Sequence, residues 1–339
     1  MTIANKIDVV ITWVDGDDPA HTQKRISYLS NAQEHKNDDI AGITRFRSVG
    51  EIDYCVASII KFAPFINRIF IVTDNQDPNV EETINKFFPD NTIPIEIVDH
   101  KVLFEGYEQY LPTFNSLSIE TMLHRIPGLS ENFVYLNDDF LLLSPVSPKD
   151  WFVDDKIVTY GYWHFTCTAR FMQLLGRLKV GHTQFKFRDS MLNSACLLGG
   201  KSRWWRFVRI MHTPLALKKS VIEEFYAKNP QALVANIKHR FRHKSQFNPQ
   251  SLVHTMLAHK GKCIITPNLT RDHGSIYKII EYIKPSPNRL DKFKREYNAI
   301  KNNEKAKFLC VNSLDQGTPD QQRLIVNLIR QRIGMTTLP

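Results

Sequence analysis

The sequence predicts an α/β fold with a mostly parallel sheet, followed by a basic and largely helical second half. Two observations carry that expectation. Strand-like and helix-like runs alternate through the first 145 residues, which is the signature of parallel strands joined by helical crossovers. Charge also divides along the chain. Residues 1–150 hold 12 Lys+Arg and 23 Asp+Glu, a balance of −11, whereas residues 151–339 hold 32 and 12, a balance of +20. The expected division is therefore an acidic α/β unit over 1–150 and a basic region over 151–339 that completes the same catalytic unit.

Each element has a local reason. Ile7 to Trp13 is a β-rich run that ends at the turn-prone Asp15-Gly16-Asp17-Asp18-Pro19. Ser48 to Glu51 has capping-box spacing, and Ile52, Val56, Ile59, Ile60 and Ala63 then follow helical periodicity until Pro64. Arg68 to Thr73 and Ile95 to Val98 read as strands. A helix is expected from Ser116 to Arg125, closed by Pro127-Gly128. Phe133 to Leu136 is a buried strand that runs directly into Asn137-Asp138-Asp139. Beyond it, residues 170–260 are helix-prone, Cys263 to Thr266 and Phe308 to Val311 suit strands, and Lys284 to Asn288 resembles a linker. Thr318-Pro319 opens a terminal helix through Ile325, Leu328 and Ile329.

Composition narrows the class. At 42% hydrophobic and 23% charged residues, the chain reads as globular rather than disordered. No run approaches the roughly 20 apolar residues that cross a bilayer, and the N-terminus lacks a signal-peptide apolar region. Five scattered cysteines form no CxxC pair, so a reducing compartment and a cytoplasmic location are expected, with peripheral contact at the inner membrane face left open. The GxxxxGK[ST], GxGxxG and GxSxG motifs are absent, which removes support for P-loop, dinucleotide-binding and serine-hydrolase chemistry.

The chemistry-bearing groups lie at strand ends, where ligands gather in parallel sheets. Asn137-Asp138-Asp139 reads equally as a solvated turn or as hard oxygen ligands holding Mg²⁺ or Mn²⁺ against a diphosphate. Asp15, Asp17 and Asp18, beside Trp13, read as a turn or as contacts to a nucleotide base, ribose or metal. Arg45-Phe46-Arg47 and Arg240-Phe241-Arg242 each place two guanidiniums around an aromatic residue, a pattern that reads as a surface pair or as a clamp for phosphate, the repetition favouring the anion modestly. His212 is one of 12 histidines; it is a proton acceptor near neutral pH, although a lone histidine is more often structural.

In order along the chain these blocks resemble the Stealth family of sugar-phosphotransferases, which includes bacterial capsule polymerases and the catalytic subunit of the lysosomal-enzyme GlcNAc-1-phosphotransferase. The first block is Ile7 to Pro19. The second runs from Arg45-Phe46-Arg47 through Ile71 to Gln76 and Leu111 to Ser116, ending at Asn137-Asp138-Asp139. The third is His212-Thr213-Pro214 with His239 to Arg242, and the fourth is Phe308 to Asn312. The family commonly has Asn-Asp in the fourth block, where this chain has Asn312-Ser313 and then Asp315. An acid often follows the first Arg-Phe-Arg, where this chain has Ser48.

The resemblance implies a GT-A-like nucleotide-sugar transferase core with Mg²⁺ or Mn²⁺. It implies a UDP-sugar donor, a saccharide or polymer acceptor, and transfer of N-acetylhexosamine-1-phosphate with release of UMP during capsule or surface polysaccharide synthesis. On that reading Asp138, Asp139 and Asn312 hold the metal, and Asp139, His212, Arg240 and Arg242 are catalytic. Trp13, Asp15, Arg45, Arg47, Asn115 and Asn137 bind the donor. One alternative is a metal-dependent glycosyltransferase that releases UDP. A polyanion-binding protein would suit the +20 half, but it leaves the acidic strand ends without a role, so no nucleic-acid partner is expected.

Overall fold

The computed structural model describes residues 6–30, 50–171, 174, 187–198, 205–272 and 275–336. Strand β1 (Ile7–Thr12) is buried from Ile7 to Ile11, as a central strand covered on both faces must be. Its one charged residue, Asp8, accepts hydrogen bonds from Asn67 Nδ2 and the Ser130 N–H, both at 2.7 Å. Strands β2 (Arg68–Thr73), β3 (Ile95–Asp99) and β4 (Asn132–Asn137) run parallel to β1 in the order β3-β2-β1-β4. Helices α1 (Pro19–Ser30) and α2 (Glu51–Phe62) lie between β1 and β2, and α3 (Val80–Phe87) between β2 and β3. Helices α4 (His100–Leu103) and α5 (Ser116–Met122) precede β4. These strands and the helices α2 and α5 fall where the sequence pattern places them. The α2 N-cap is Gly50 in the left-handed conformation, and Ser48 lies outside the described residues.

The order reverses at β1. Successive strands step one way from β1 to β3, and β4 then returns to the other side of β1. Carboxyl ends that flank such a switch point leave a crevice, because the connections leave in opposite directions. The β1 and β4 ends are Thr12-Trp13 and Asn137-Asp138-Asp139.

Among its described residues the second half holds more helix than strand, and besides the expected strands at Cys263–Thr266 and Phe308–Val311 it supplies others that composition conceals. Strand β5 (Phe140–Leu142) follows the Asp138-Asp139 turn. A second sheet contains β6 (Phe152–Val153), β7 (Lys156–Phe165) and β8 (Arg206–Ile210). Helix α6 (Phe187–Leu198) precedes β8, and β9 (Leu215–Lys218) then crosses to the main sheet and pairs antiparallel with β4. Helices α7 (Lys219–Lys228), α8 (Pro230–Ile237) and α9 (Pro249–His259) follow. Strand β10 (Cys263–Thr266) adds to β7, and β11 (Leu269–Asp272) and β12 (Ser275–Lys278) form a hairpin. Strand β13 (Ile280–Ile283), helix α10 (Leu290–Asn302), strand β14 (Phe308–Val311) and helix α11 (Pro319–Ile333) complete the order, with β14 between β13 and β5. The α11 cap is the expected Thr318, in a capping box with Gln321.

Asn115 fastens the halves together. Its Oδ1 accepts from the Leu117 N–H and caps α5, while its Nδ2 lies 2.9 Å from the carbonyls of His239 and Phe241 and from Gln246 Oε1. Phe114 stacks on Phe241 at 5.3 Å, and its N–H donates to the Arg240 carbonyl. Asn115→Ala removes a cap and strands buried acceptors. It is expected to lower stability by about 2–4 kcal/mol, read as a drop in the urea midpoint; an unchanged midpoint contradicts this role.

Candidate active site

A cavity of about 480 Å³ occupies the crevice at the switch point. Thr12, Trp13 and Val14 line it from β1, Asn137, Asp138 and Asp139 from β4, and Glu51 from the first turn of α2. Ser116 and Glu120 enter from α5, Arg242 from the loop after α8, and Asn312 and Asp315 from the segment after β14. His212 faces them from the β8–β9 connection. That connection is anchored on both sides: the Met211 N–H donates to the Tyr160 carbonyl, and Leu215 pairs with Tyr135. The pairing sets His212 opposite the end of β4.

The acids are in one another's way. Asp138 and Asp139 are partly open to the cavity, but protein surrounds their carboxyls. Burial, then the neighbouring Asp139 and Glu51, hold Asp138 well above the usual carboxylate range. Asp139 is pushed up to about 7, chiefly by burial and further by Glu51, while Cys310 and Asn312 pull it down through hydrogen bonds. Its Oδ1 is buried with no hydrogen-bond partner, although its carbonyl is fixed by the Val311 N–H at 2.9 Å. A hard cation would relieve this crowding, and carboxylate and amide oxygens suit Mg²⁺ or Mn²⁺. Among the described residues no three His, Cys, Asp or Glu groups close around one point. A divalent ion here would therefore need Asn312 and substrate oxygens to complete its shell, which is how Mg²⁺ is commonly held at phosphates.

Tyr135 donates from its hydroxyl to Asn137 Oδ1 at 2.6 Å, with Glu120 Oε1 at 3.2 Å and Thr12 Oγ1 at 3.0 Å from the same oxygen. With its oxygen engaged, Asn137 keeps its amide N–H groups for a ligand. Glu120 is pushed up to about 7 by burial, against which Arg242 acts to keep it ionised. Arg242 in turn donates to Ser116 Oγ at 2.8 Å. His212 is exposed as a residue, but its ring is flanked by Phe140 at 6.5 Å and Tyr282 at 5.6 Å. Desolvation, then the charge of Arg209, lower its pKa below 6.5, so the imidazole is neutral at pH 7 and able to accept a proton.

The cavity thus gathers Trp13, Asn137, Asp138, Asp139, His212, Arg242 and Asn312, with Asp315 beside them. Three expected site residues lie elsewhere. Asn115 is fully buried and saturated by the bonds described above, so it shapes the site only by holding α5. Arg240 donates to the carbonyls of Pro112 and Gln109 and stacks over Tyr28, so it clamps a loop instead of facing the cavity. Asp15 accepts from the Asp17 N–H, and Gln76 pins its backbone while also binding Asp18, which caps α1. That group is a turn. Arg45 and Arg47 lie outside the described residues. Glu51 and Glu120 were not foreseen as site residues. The available signal was position: Glu51 begins the helix after the Arg-Phe-Arg block, and Glu120 falls one helical turn after Ser116, on the same face.

Residues 5–33, 45–160 and 211–259 match conserved regions 1, 2 and 3 of the Stealth proteins. The receptor polysaccharide phosphotransferase WefC of Streptococcus oralis is 27% identical over 349 residues, covering 96% of each chain. The exopolysaccharide phosphotransferase cps2G of Lactiplantibacillus plantarum is 33% identical over 260 residues, covering 70% of this chain and 72% of that one. Among solved structures, the galactosyltransferase LgtC has a TM-score of 0.46 at 9% identity, covering 98% of this chain and 97% of that one. The chain is an enzyme of the sugar-phosphate transferase class. It belongs to the Stealth family.

The raised pKa of Glu120 has a consequence for stability. Between its ordinary value of 4.5 and about 7 the folded protein holds a proton here that the unfolded chain has released, so this contribution is lost as pH rises through that window. Glu120→Gln should flatten the stability–pH curve over pH 5–7 by up to about 1.4 kcal/mol per pH unit. Chemical denaturation at stepped pH reads it, and parallel curves for the two proteins would show that Glu120 titrates normally.

Proposed function

We propose that this enzyme transfers a hexose-1-phosphate, with N-acetylhexosamine-1-phosphate as the favoured group, from a UDP-sugar to an acceptor hydroxyl. The reaction forms a phosphodiester and releases UMP in capsular or surface polysaccharide synthesis. The observation that carries the reading is the placement of His212 across one cavity from Asp138, Asp139 and Asn312. The names of the WefC and cps2G relatives support transfer of a phosphorylated unit into a polysaccharide.

Asp138, Asp139 and Asn312 would hold Mg²⁺ or Mn²⁺, which would neutralise charge on the donor diphosphate. The remaining work falls to side chains. Trp13 and Asn137 orient the nucleotide end, the first by its ring and the second by its amide N–H groups. His212 takes the acceptor proton as the acceptor oxygen bonds to the phosphorus next to the sugar. The bond from that phosphorus to the bridging oxygen breaks, and UMP leaves with the electron pair. The sugar C1–O bond stays intact, so the anomeric configuration is retained. Arg242, fixed by Ser116, faces the charge that develops on the phosphoryl oxygens. The basic second half is proposed to hold an anionic polymer or to rest on an anionic membrane surface; among the described residues no helix is long and apolar enough to cross a membrane.

The test is the nucleotide product. Incubation with a panel of UDP-sugars, Mg²⁺ and capsule oligosaccharides should yield UMP; UDP as the product would instead establish glycosyl transfer. His212→Ala should lower kcat by about 10²–10⁴. In the native enzyme, activity should fall as pH drops through the lowered pKa of His212. A variant with near-native turnover at saturating donor would remove the base from this scheme.

A further inference from the structure

A second cavity of about 340 Å³ adjoins the first. Its walls include Tyr162 on β7, Arg209 on β8 and Tyr282 on β13, and it shares His212, Met211, Ile210 and Met191 with the acidic cavity. His212 therefore lines both spaces. An in-line displacement at phosphorus needs the attacking and leaving oxygens on opposite sides, so a second space that reaches the base from beyond the donor pocket suits the attacking molecule.

The lining has a definite chemistry. Tyr162 is 43% exposed and Tyr282 is 36% exposed, so each offers ring surface and a hydroxyl to a ligand. Flat aromatic rings with polar edges suit the C–H faces and hydroxyl rims of a sugar. Arg209 pairs with Tyr162 across the β7–β8 ladder, and its guanidinium carbon lies 5.7 Å from the Tyr162 ring centre. Among the described residues Arg209 makes no ion pair, and its guanidinium lines the cavity. Gly161 permits the arrangement: a Cβ there would come within 2.5 Å of the Arg209 carbonyl oxygen, so only glycine lets β8 approach β7 this closely. Asn268 secures the floor by bonding both the N–H and the carbonyl of Ile280.

We propose that this cavity is the acceptor subsite: it takes a saccharide against Tyr162 and Tyr282, pairs an anionic substituent of that saccharide with Arg209, and so presents a sugar hydroxyl to His212. The proposal rests on the transferase reading above. The anion is a phosphodiester of the preceding unit or a uronate carboxylate, and the shared requirement is one negative charge next to the reacting sugar.

Binding of acceptor fragments without donor tests this separately from catalysis. The full chain is titrated with a neutral methyl glycoside, its phosphodiester-bearing counterpart and its uronate counterpart, followed by NMR or calorimetry, with UDP and Mg²⁺ titrated in parallel. The native protein should bind at least one charged fragment more tightly than the neutral one, and the tighter of the two identifies the anion. Arg209→Gln should weaken that fragment about tenfold and leave the neutral one unchanged, and Tyr162→Ala should weaken all three. Absence of fragment binding, equal affinity for charged and neutral fragments, or native affinities in both variants would each overturn the acceptor subsite. Failure of UDP with Mg²⁺ to bind, while the fragments bind as expected, would overturn the donor reading alone.

Discussion

The burial of Asp138 and Asp139 at the end of β4, with Glu51 of α2 beside them, is the constraint around which the rest of the site is organised. Left to itself, such a cluster would swing into water or protonate. Here the backbone prevents the first. Asp139 is held by its carbonyl to β14, and β5 follows the turn directly and pairs with the same strand. The second shows in the raised pKa of both aspartates. A fold that keeps carboxylates buried in this way sacrifices stability at neutral pH, and on the proposed function the return is a place for a cation and its phosphates.

The remainder of the architecture supplies what the acids lack. Strand β9 completes the main sheet from the second half, and its pairing with β4 carries His212 to the mouth of the cavity. The loop after α8 is fastened by Asn115 and Arg240, and only then can Arg242 reach Ser116 and the cavity wall. The two arginines of one Arg-Phe-Arg triplet thus do different jobs, one securing the loop and the other facing the ligand space. The charge split between halves becomes spatial at the cavity, where Glu51, Asp138 and Asp139 from the first half meet Arg242 and Lys284 from the second.

Much of this was legible in the chain. Buried runs such as Arg68–Thr73, and the helix after Gly50, declare themselves by local periodicity; Asp138 and Asp139 stand out by residue type at a strand end, while His212 stands out chiefly through the family resemblance. Long-range pairings were not legible. Nothing near Leu215–Lys218 says that it adds to β4, and only the family resemblance, through Asn312, brings Phe308–Val311 beside the acidic turn. The resemblance implies donor binding for Asn115 and catalysis for Arg240 because a motif records which residues matter without separating a side chain that touches substrate from one that holds a loop. Glu120 escaped notice because an acid in a helix ordinarily faces water, and only the packing of α5 against Tyr135 turns it inward.

The central claim is that Asp138 and Asp139 form a site completed jointly by a divalent ion and a nucleotide diphosphate. Electron paramagnetic resonance of Mn²⁺, titrated with the native protein with and without UDP, tests it most directly. The account predicts weak Mn²⁺ binding by the protein alone, tightening of at least tenfold with UDP, and loss of that tightening in Asp138→Asn and Asp139→Asn. UDP binding that is equally tight without metal, or Mn²⁺ uptake that survives both substitutions, would contradict it.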